Sequence, residues 1–251
     1  MSSYKKPKIV FSDFDGTLTH GSELKPIFWQ LIELLSAQDI ELVVVTGRSK
    51  SWAHFLLSHF PTIRYVITEG GGVLSGKTRE SGRFRLWDKL LVEKEEVERL
   101  EGVCRDLTAT FPNVEMSIDS FGRETDRAIE LSYLSDNPVE ADEIKSFLTK
   151  HQVNFSTSNV HLNYWCGDLS KMKSIHYFLE NHFPDVALEE TVFFGDSLND
   201  ETAFAGHPHS VGVSNIIKVI DQLKEKPKVI LKGEDKEGPF GVLSYLLSLL
   251  K

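Results

Sequence analysis

Asp13-Phe14-Asp15-Gly16-Thr17-Leu18-Thr19 follows directly on residues 8–12 (KIVFS), a short apolar run of the kind that forms a buried strand. The heptapeptide therefore sits at the carboxyl end of a strand, the edge of an open α/β sheet where ligands gather. Side chains two positions apart share a face, so Asp13 and Asp15 can point into one crevice. Such an oxygen-rich pair suits Mg2+, and it also puts a nucleophile beside an acid/base group. The plainer alternative is a strand that ends in ordinary acidic turn residues.

Two further segments repeat the arrangement. Residues 41–45 (ELVVV) read as a second buried strand and run into Thr46-Gly47-Arg48-Ser49. A hydroxyl there can hydrogen-bond a phosphoryl oxygen, and Ser49 is placed to cap the next helix. Residues 190–194 (ETVFF) lead into Gly195-Asp196-Ser197-Leu198-Asn199-Asp200. A divalent cation needs several oxygens, more than Asp13 and Asp15 supply, and Asp196, Asn199 and Asp200 are candidate partners.

The rest of the chain supports an α/β core with an insertion. Strand-like and helical stretches alternate in the first third, which argues for a parallel sheet with crossover helices. The middle differs: after Gly70, Gly71 and Gly72 comes a polar stretch with turn signals at Gly76 and Gly82. A charged helix over 92–110, strands over 114–119 and 126–133, a helix over 138–151 and strands over 153–157 and 160–165 follow. That order describes an antiparallel sheet backed by helices. The last third returns to the first pattern, with helices expected over 170–182 and 215–223. Residues 1–80 and 167–251 are thus expected to form the core, and 81–166 an inserted α+β cap.

Composition excludes several classes. The chain has 251 residues and a net charge of −9, which argues against a general affinity for nucleic acid. No segment approaches the roughly 20 apolar residues of a membrane span, and residues 1–8 are polar, unlike a signal peptide. Its two cysteines, Cys104 and Cys166, have no metal-ligand spacing and fit a reducing compartment. A cytoplasmic protein, monomeric or homodimeric, is the expectation.

The three strand-end motifs together resemble the haloacid dehalogenase superfamily, whose first motif is Asp-x-Asp-Gly-Thr, second a strand-end Ser or Thr, and fourth Gly-Asp-x-x-Asn-Asp. The resemblance implies a Rossmann-like core and a phosphohydrolase. Asp13 would accept the phosphoryl group, Asp15 would act as acid and then base, and Thr46 would hold a phosphoryl oxygen. Mg2+ would sit on Asp13, Asp196 and the Asp15 carbonyl, with Asn199 and Asp200 close by. The third motif is one lysine: Ser170-Lys171-Met172 aligns with Ser-Lys-Gly and selects Lys171, with Lys173 as its rival. The insert, lying between the second and third motifs, is similar to the C2B-type cap of Cof-type, sucrose-phosphate and mannosyl-3-phosphoglycerate phosphatases. Glu69-Gly70-Gly71 stands where that subgroup often has Glu-Asn-Gly.

The expected substrate is a small phosphorylated metabolite, a sugar phosphate above all. Asn159, His161 and Asn163 share a strand face and could hydrogen-bond sugar hydroxyls; Arg48 or Arg123 could meet a second anionic group. An unspecialised solvent-facing cap surface is the alternative. Trp87 and Trp165 read as packing residues, and His207 and His209 as loop residues without a third metal ligand. A phosphotransferase or phosphomutase, and a non-catalytic phosphometabolite sensor, are the competing functions. Intact Asp13 and Asp15 weigh against the sensor.

Overall fold

The computed structural model describes residues 5–80, 82–158 and 160–250. The strands and helices in chain order are β1 Ile9–Ser12, α1 Pro26–Ala37, β2 Glu41–Val45, α2 Lys50–His59, β3 Tyr65–Thr68, β4 Val73–Glu80, β5 Arg83–Leu90, α3 Lys94–Thr110, β6 Arg127–Glu130, α4 Leu131–Asp136, α5 Pro138–Lys150, β7 Asn154–Thr157 and β8 His161–Trp165. After them come α6 Lys171–His182, β9 Thr191–Gly195, α7 Glu201–Gly206, β10 Ser210–Gly212, β11 Val229–Ile230 and α8 Pro239–Leu249.

An eight-stranded sheet has the order β11-β10-β9-β1-β2-β3-β4-β5, parallel from β11 to β3 and antiparallel at β4 and β5. Its central strands bury both faces, as apolar strands without polar alternation must. Val10, Leu42, Val44, Val192 and Phe194 pack with Phe28, Leu31, Leu56 and Leu246 of α1, α2 and α8. Ile9, Phe11, Val43, Val45 and Phe193 face the other way, onto Ile175, Phe178 and Phe204 of α6 and α7. β1 lies between β2 and β9, so the chain crosses the sheet in opposite directions on its two sides. The crevice at the end of β1 is the topological switch point.

A separate core of Leu100, Leu107, Ile129, Ile144, Leu148, Leu162 and Tyr164 underlies a three-stranded antiparallel sheet, β6-β8-β7, backed by α3 and α5. The fourth strand expected over 114–119 does not form; an isolated bridge between Met116 and Ile129 stands in its place. Ser117 bonds Asp119 and the chain turns into a 3-10 turn at Ser120–Gly122, drawn toward the core instead of along the sheet. The strand expected over 126–133 ends at Glu130, and α4 takes over.

The polar stretch after the glycines is a long hairpin: β4 pairs with β5 from Val73↔Leu90 to Glu80↔Arg83. Hydrogen bonding of the large sheet thus continues to Leu90, past the expected limit of residue 80. Trp87 is a packing residue as expected, stacked on His182 at 5.6 Å and lying over Gly76, where a Cβ would approach its ring to 2.3 Å. The helix expected over 215–223 is a 3-10 turn, Ser214–Lys218, because Asn215 spends its side-chain amide on the site below and the β-branched Ile216, Ile217, Val219 and Ile220 favour helix weakly. Among the described residues no helix is long and apolar enough to cross a membrane.

Candidate active site

β1 ends at Ser12, and Asp13 N–H donates to the Phe194 carbonyl of β9 at 2.9 Å. The turn beyond closes on the Phe14 carbonyl, which accepts from Leu18 N–H at 2.9 Å and Thr19 N–H at 3.1 Å. Gly16 has φ of 81°, a conformation glycine takes without a Cβ penalty. Asp13 is thereby fixed in the crevice between β2 and β9, only 3 % exposed.

Of the two candidate lysines, Lys171 lies beside Asp13. Its Nζ donates to Asp13 Oδ1 and Asp200 Oδ1, both at 2.7 Å, and its side chain is 1 % exposed. Ser170 is the N-cap of α6, accepting from Lys173 N–H, and so starts the helix with Lys171 pointing inward. Lys173 points outward and pairs with Asp168 at the surface. Burial works against the Lys171 ammonium, but Asp13 and Asp200 outweigh it and hold the group above the ordinary lysine range. Burial likewise drives the Asp13 carboxyl well above its usual range, with Lys171 pulling it back down and Asp200 and Asp196 pushing it further up.

Asp13, Asp196 and Asp200 bring carboxylate oxygens within 4.8 Å of one another. Asp200 is the brace of this group: its Oδ2 accepts Asp196 N–H at 2.9 Å and Ser197 N–H at 3.0 Å, while Oδ1 faces Lys171. Gly195 permits that approach, since a Cβ would lie 2.6 Å from the Asp200 carboxylate. Asp196 receives Thr17 Oγ1 at 2.8 Å and Asn215 Nδ2 at 2.6 Å, and Asn215 also donates to the Gly16 carbonyl. Asn199 stands slightly aside, with Oδ1 accepting from Ser197 Oγ at 2.7 Å and lying 3.5 Å from Lys171 Nζ. Three buried carboxylates face one ammonium, so a cation fits the site electrostatically, and hard oxygen donors suit Mg2+.

Asp15 turns its carboxylate away from this group. Arg48 Nε and Nη2 clasp its two oxygens at 2.8 and 2.7 Å, and the guanidinium lies 4.8 Å from the Trp52 ring centre. Arg48 N–H also donates to Thr46 Oγ1 at 3.1 Å, so β2 delivers Thr46 and Arg48 to the same crevice. Thr46, Asp13, Asp15, His161, Ser197 and Asn199 surround a space of only about 10 Å³, near the size of one water. A larger chamber of about 600 Å³ adjoins it, lined by Thr19, His20, Asn215, Lys218 and Glu237. Asp15, Arg48 and Val160 line both, so the Asp15–Arg48 pair stands between chamber and nucleophile.

Of the cap residues considered for substrate, His161 lines the small space beside Asp13, whereas Asn163 and Arg123 are engaged by neighbouring protein groups. Asn163 gives its amide to Asp126 at 2.8 Å and to the Gly47 carbonyl at 3.2 Å. His161 meets Ser117 Oγ at 3.1 Å, and burial, with Arg123 nearby, pushes its pKa down. Asn159 lies outside the described residues. Arg123 is wholly buried between Asp119 and Asp126, which removes it as a receptor for a second anion. Ser49 is the N-cap of α2 by position without a capping bond; Glu69 accepts Lys50 N–H at 3.2 Å instead. His207 and His209 are buried at the end of α7, bonded to Thr191 and Tyr245 respectively.

Asn215, Asp119 and Asp126 are not singled out from the sequence, and Glu69 is noted only as part of Glu69-Gly70-Gly71, without a role. Asn215 and Glu69 follow strand ends, the same cue that exposed Thr46; the cap pair carries no such cue. Thr17 stood within the first motif, and its hydroxyl was simply unassigned.

The fold has many counterparts among solved structures. A Thermoplasma acidophilum protein superposes with a TM-score of 0.71 at 15 % identity, covering 96 % of this chain and 98 % of that one. A haloacid dehalogenase-like hydrolase from B. subtilis gives 0.69 at 14 %, covering 97 % and 100 %. The sucrose-phosphatase of Synechocystis, solved with sucrose and phosphate, gives 0.66 at 16 %, covering 98 % of each chain. Among curated proteins none matches the sequence. A family model described as sucrose-6F-phosphate phosphohydrolase matches residues 6–239, nearly the whole chain and every strand-end motif described above. This protein belongs to that family, within the haloacid dehalogenase-like hydrolases.

Proposed function

We propose that the protein is a Mg2+-dependent phosphatase that hydrolyses a small phosphorylated metabolite, a sugar phosphate, through a phospho-aspartate on Asp13. The observation that carries this reading is the buried Asp13–Lys171–Asp200 arrangement beside Asp196, with Asp15 at the mouth of the crevice.

An Asp13 carboxylate oxygen attacks phosphorus, the bond to the leaving oxygen breaks, and Asp15 gives that oxygen its proton. Water then attacks the same phosphorus, Asp15 takes the proton back, and the bond to Asp13 breaks to release phosphate. Splitting the reaction this way is nucleophilic catalysis with one group serving as acid and base. Asp13 and Asp196 would hold Mg2+, whose charge would offset that of the phosphoryl oxygens. Lys171 favours the ionised form of Asp13 against the burial that opposes it and orients the carboxylate, and Thr46 supplies a hydrogen bond to a phosphoryl oxygen. The leaving group faces Asp15, so the chamber beyond the Asp15–Arg48 pair is where it lies.

Phosphate release from sucrose 6-phosphate, hexose phosphates, mannosyl-3-phosphoglycerate, FMN and pyridoxal phosphate tests this, each with Mg2+, with EDTA and with Asp13→Asn. Release that requires both the metal and Asp13 is the expected result. Undiminished release by Asp13→Asn would overturn the nucleophile; an isomerised sugar phosphate without free phosphate would make the enzyme a mutase.

A further inference from the structure

Segment 117–126 of the insert reaches the core at the turn after β2, where Arg123 and Asp119 bond Gly47 and Ser49. We propose that Arg123 is a positioning residue for phosphoryl binding, fixing the Thr46-Gly47 turn from across the domain cleft; this rests on the reading of Thr46 as a phosphoryl contact. Arg123 Nη1 donates to the Gly47 carbonyl at 3.0 Å.

Arg123 is held by its own segment before it reaches the core. Nε and Nη2 donate to Asp119 at 2.9 and 3.3 Å, and Nη1 to Asp126 at 2.8 and 2.9 Å. A planar guanidinium gripped from two sides has its remaining N–H direction fixed in advance, which a lysine ammonium could not offer. That direction meets Gly47. Asn163, itself anchored on Asp126, donates to the same carbonyl, and Asp119 accepts Ser49 N–H at 3.2 Å. With two carboxylates around one cation, the charge of Arg123 is already answered and is not left for a substrate anion.

The docking is closely fitted. A Cβ on Gly122 would lie 2.8 Å from Ser51 Oγ, and one on Gly72 would lie 1.9 Å from Thr125 Oγ1. Glu69, in the left-handed region at φ 55°, donates its N–H to the Arg48 carbonyl while its carboxylate gathers Lys50 N–H, Glu124 N–H and Thr125 N–H. A backbone held in that region persists where its surroundings over-determine it. Cap and core therefore share one network around residues 46–50, and a misplaced turn would move Thr46 relative to Asp13.

Tungstate, a tetrahedral oxyanion that needs no turnover, reports on this directly. Calorimetric affinity is measured with Mg2+ for the full chain, Arg123→Lys and Asn163→Ala, alongside melting temperature. Arg123→Lys is expected to weaken tungstate about tenfold, the worth of one hydrogen bond to a charged donor, while Mg2+ affinity stays unchanged. Asn163→Ala removes the second donor to the same carbonyl and should weaken tungstate in the same direction. It also reports if Arg123→Lys fails to fold. A lower melting temperature with unchanged tungstate affinity would mean a purely structural clamp and overturn the proposal, as would a wild type that does not bind tungstate. Tungstate binding of the expected pattern in a wild type that hydrolyses nothing would instead sink the phosphatase reading alone.

Discussion

Arg48 holds both carboxylate oxygens of Asp15, at 2.8 and 2.7 Å, and both residues line the small space beside Asp13 and the large chamber outside it. On the proposed mechanism Asp15 needs one oxygen free for the leaving group, so the Arg48 clasp has to loosen during the reaction. Arg48 stays near through its stacking on Trp52 and its backbone bond to Thr46.

Asp15→Asn should keep the fold and Mg2+ binding but lose about 10²–10⁴ in kcat, the usual worth of a general acid. The loss in kcat/KM, which ends at release of the leaving group and excludes the water-attack step both substrates share, should shrink where that group needs no proton, so p-nitrophenyl phosphate compared with a sugar phosphate is the measurement. An equal loss on both would argue that Asp15 is structural.

Lys171→Met and Lys173→Met should separate cleanly. Removing Lys171 leaves Asp13 and Asp200 buried and facing one another, an uncompensated charge that costs about 3–5 kcal/mol in comparable sites. Unfolding in urea should show that loss in EDTA, partly recovered by Mg2+, together with loss of phosphate release. Lys173 is a surface lysine with a side chain 56 % exposed, and its replacement should change neither property.

Removing the metal should itself be visible as a stability change. A cation that binds only the folded carboxylate group stabilises it by about 2.7 kcal/mol at one hundred times its Kd. Mg2+ titration followed by melting temperature should therefore show a rise, and Asp196→Asn should abolish most of it. An identical Mg2+ response in that variant would place the cation elsewhere.

The parts legible in the sequence are those where one short segment does one job. A strand followed at once by Asp13-Phe14-Asp15, Thr46 or Asp196 places its side chains at one sheet edge whatever the loops do. The fold class follows from the same strands, whose residues are apolar on both faces. The errors arise where a segment answers to a distant partner. Residues 114–119 have strand-like composition, yet Asp119 is taken by Ser49 N–H and Arg123, so pairing stops at one bridge. Residues 73–90 read as a polar stretch with turn signals because the far end of β4 is exposed and β5 is an exposed edge. Asn163 shows the same limit: its type suggested a sugar contact, and its neighbours make it a backbone clamp.

His207 and His209 should give the protein an acid-sensitive stability. Burial is the main cause that pushes their pKa values down, to about 3 and about 4, with His207 enclosed by Phe11 and Phe193. In the unfolded chain each titrates near 6.5. Above that pH both states are neutral and the pair contributes no pH dependence. Below it the unfolded chain takes up protons that the fold refuses, so stability falls as pH drops from about 6.5 toward 4. The slope approaches about 1.4 kcal/mol per pH unit for each histidine. Urea unfolding of wild type and His207→Gln at pH 7.5, 6 and 5 measures it. Glutamine keeps a hydrogen-bonding partner for Thr191 without a titrating ring, so the gap between the two proteins should narrow as pH falls. A gap of constant size would show that His207 titrates alike in the folded and unfolded chains, and a gap that widens as pH falls would show an imidazolium held in the fold; either result overturns the prediction.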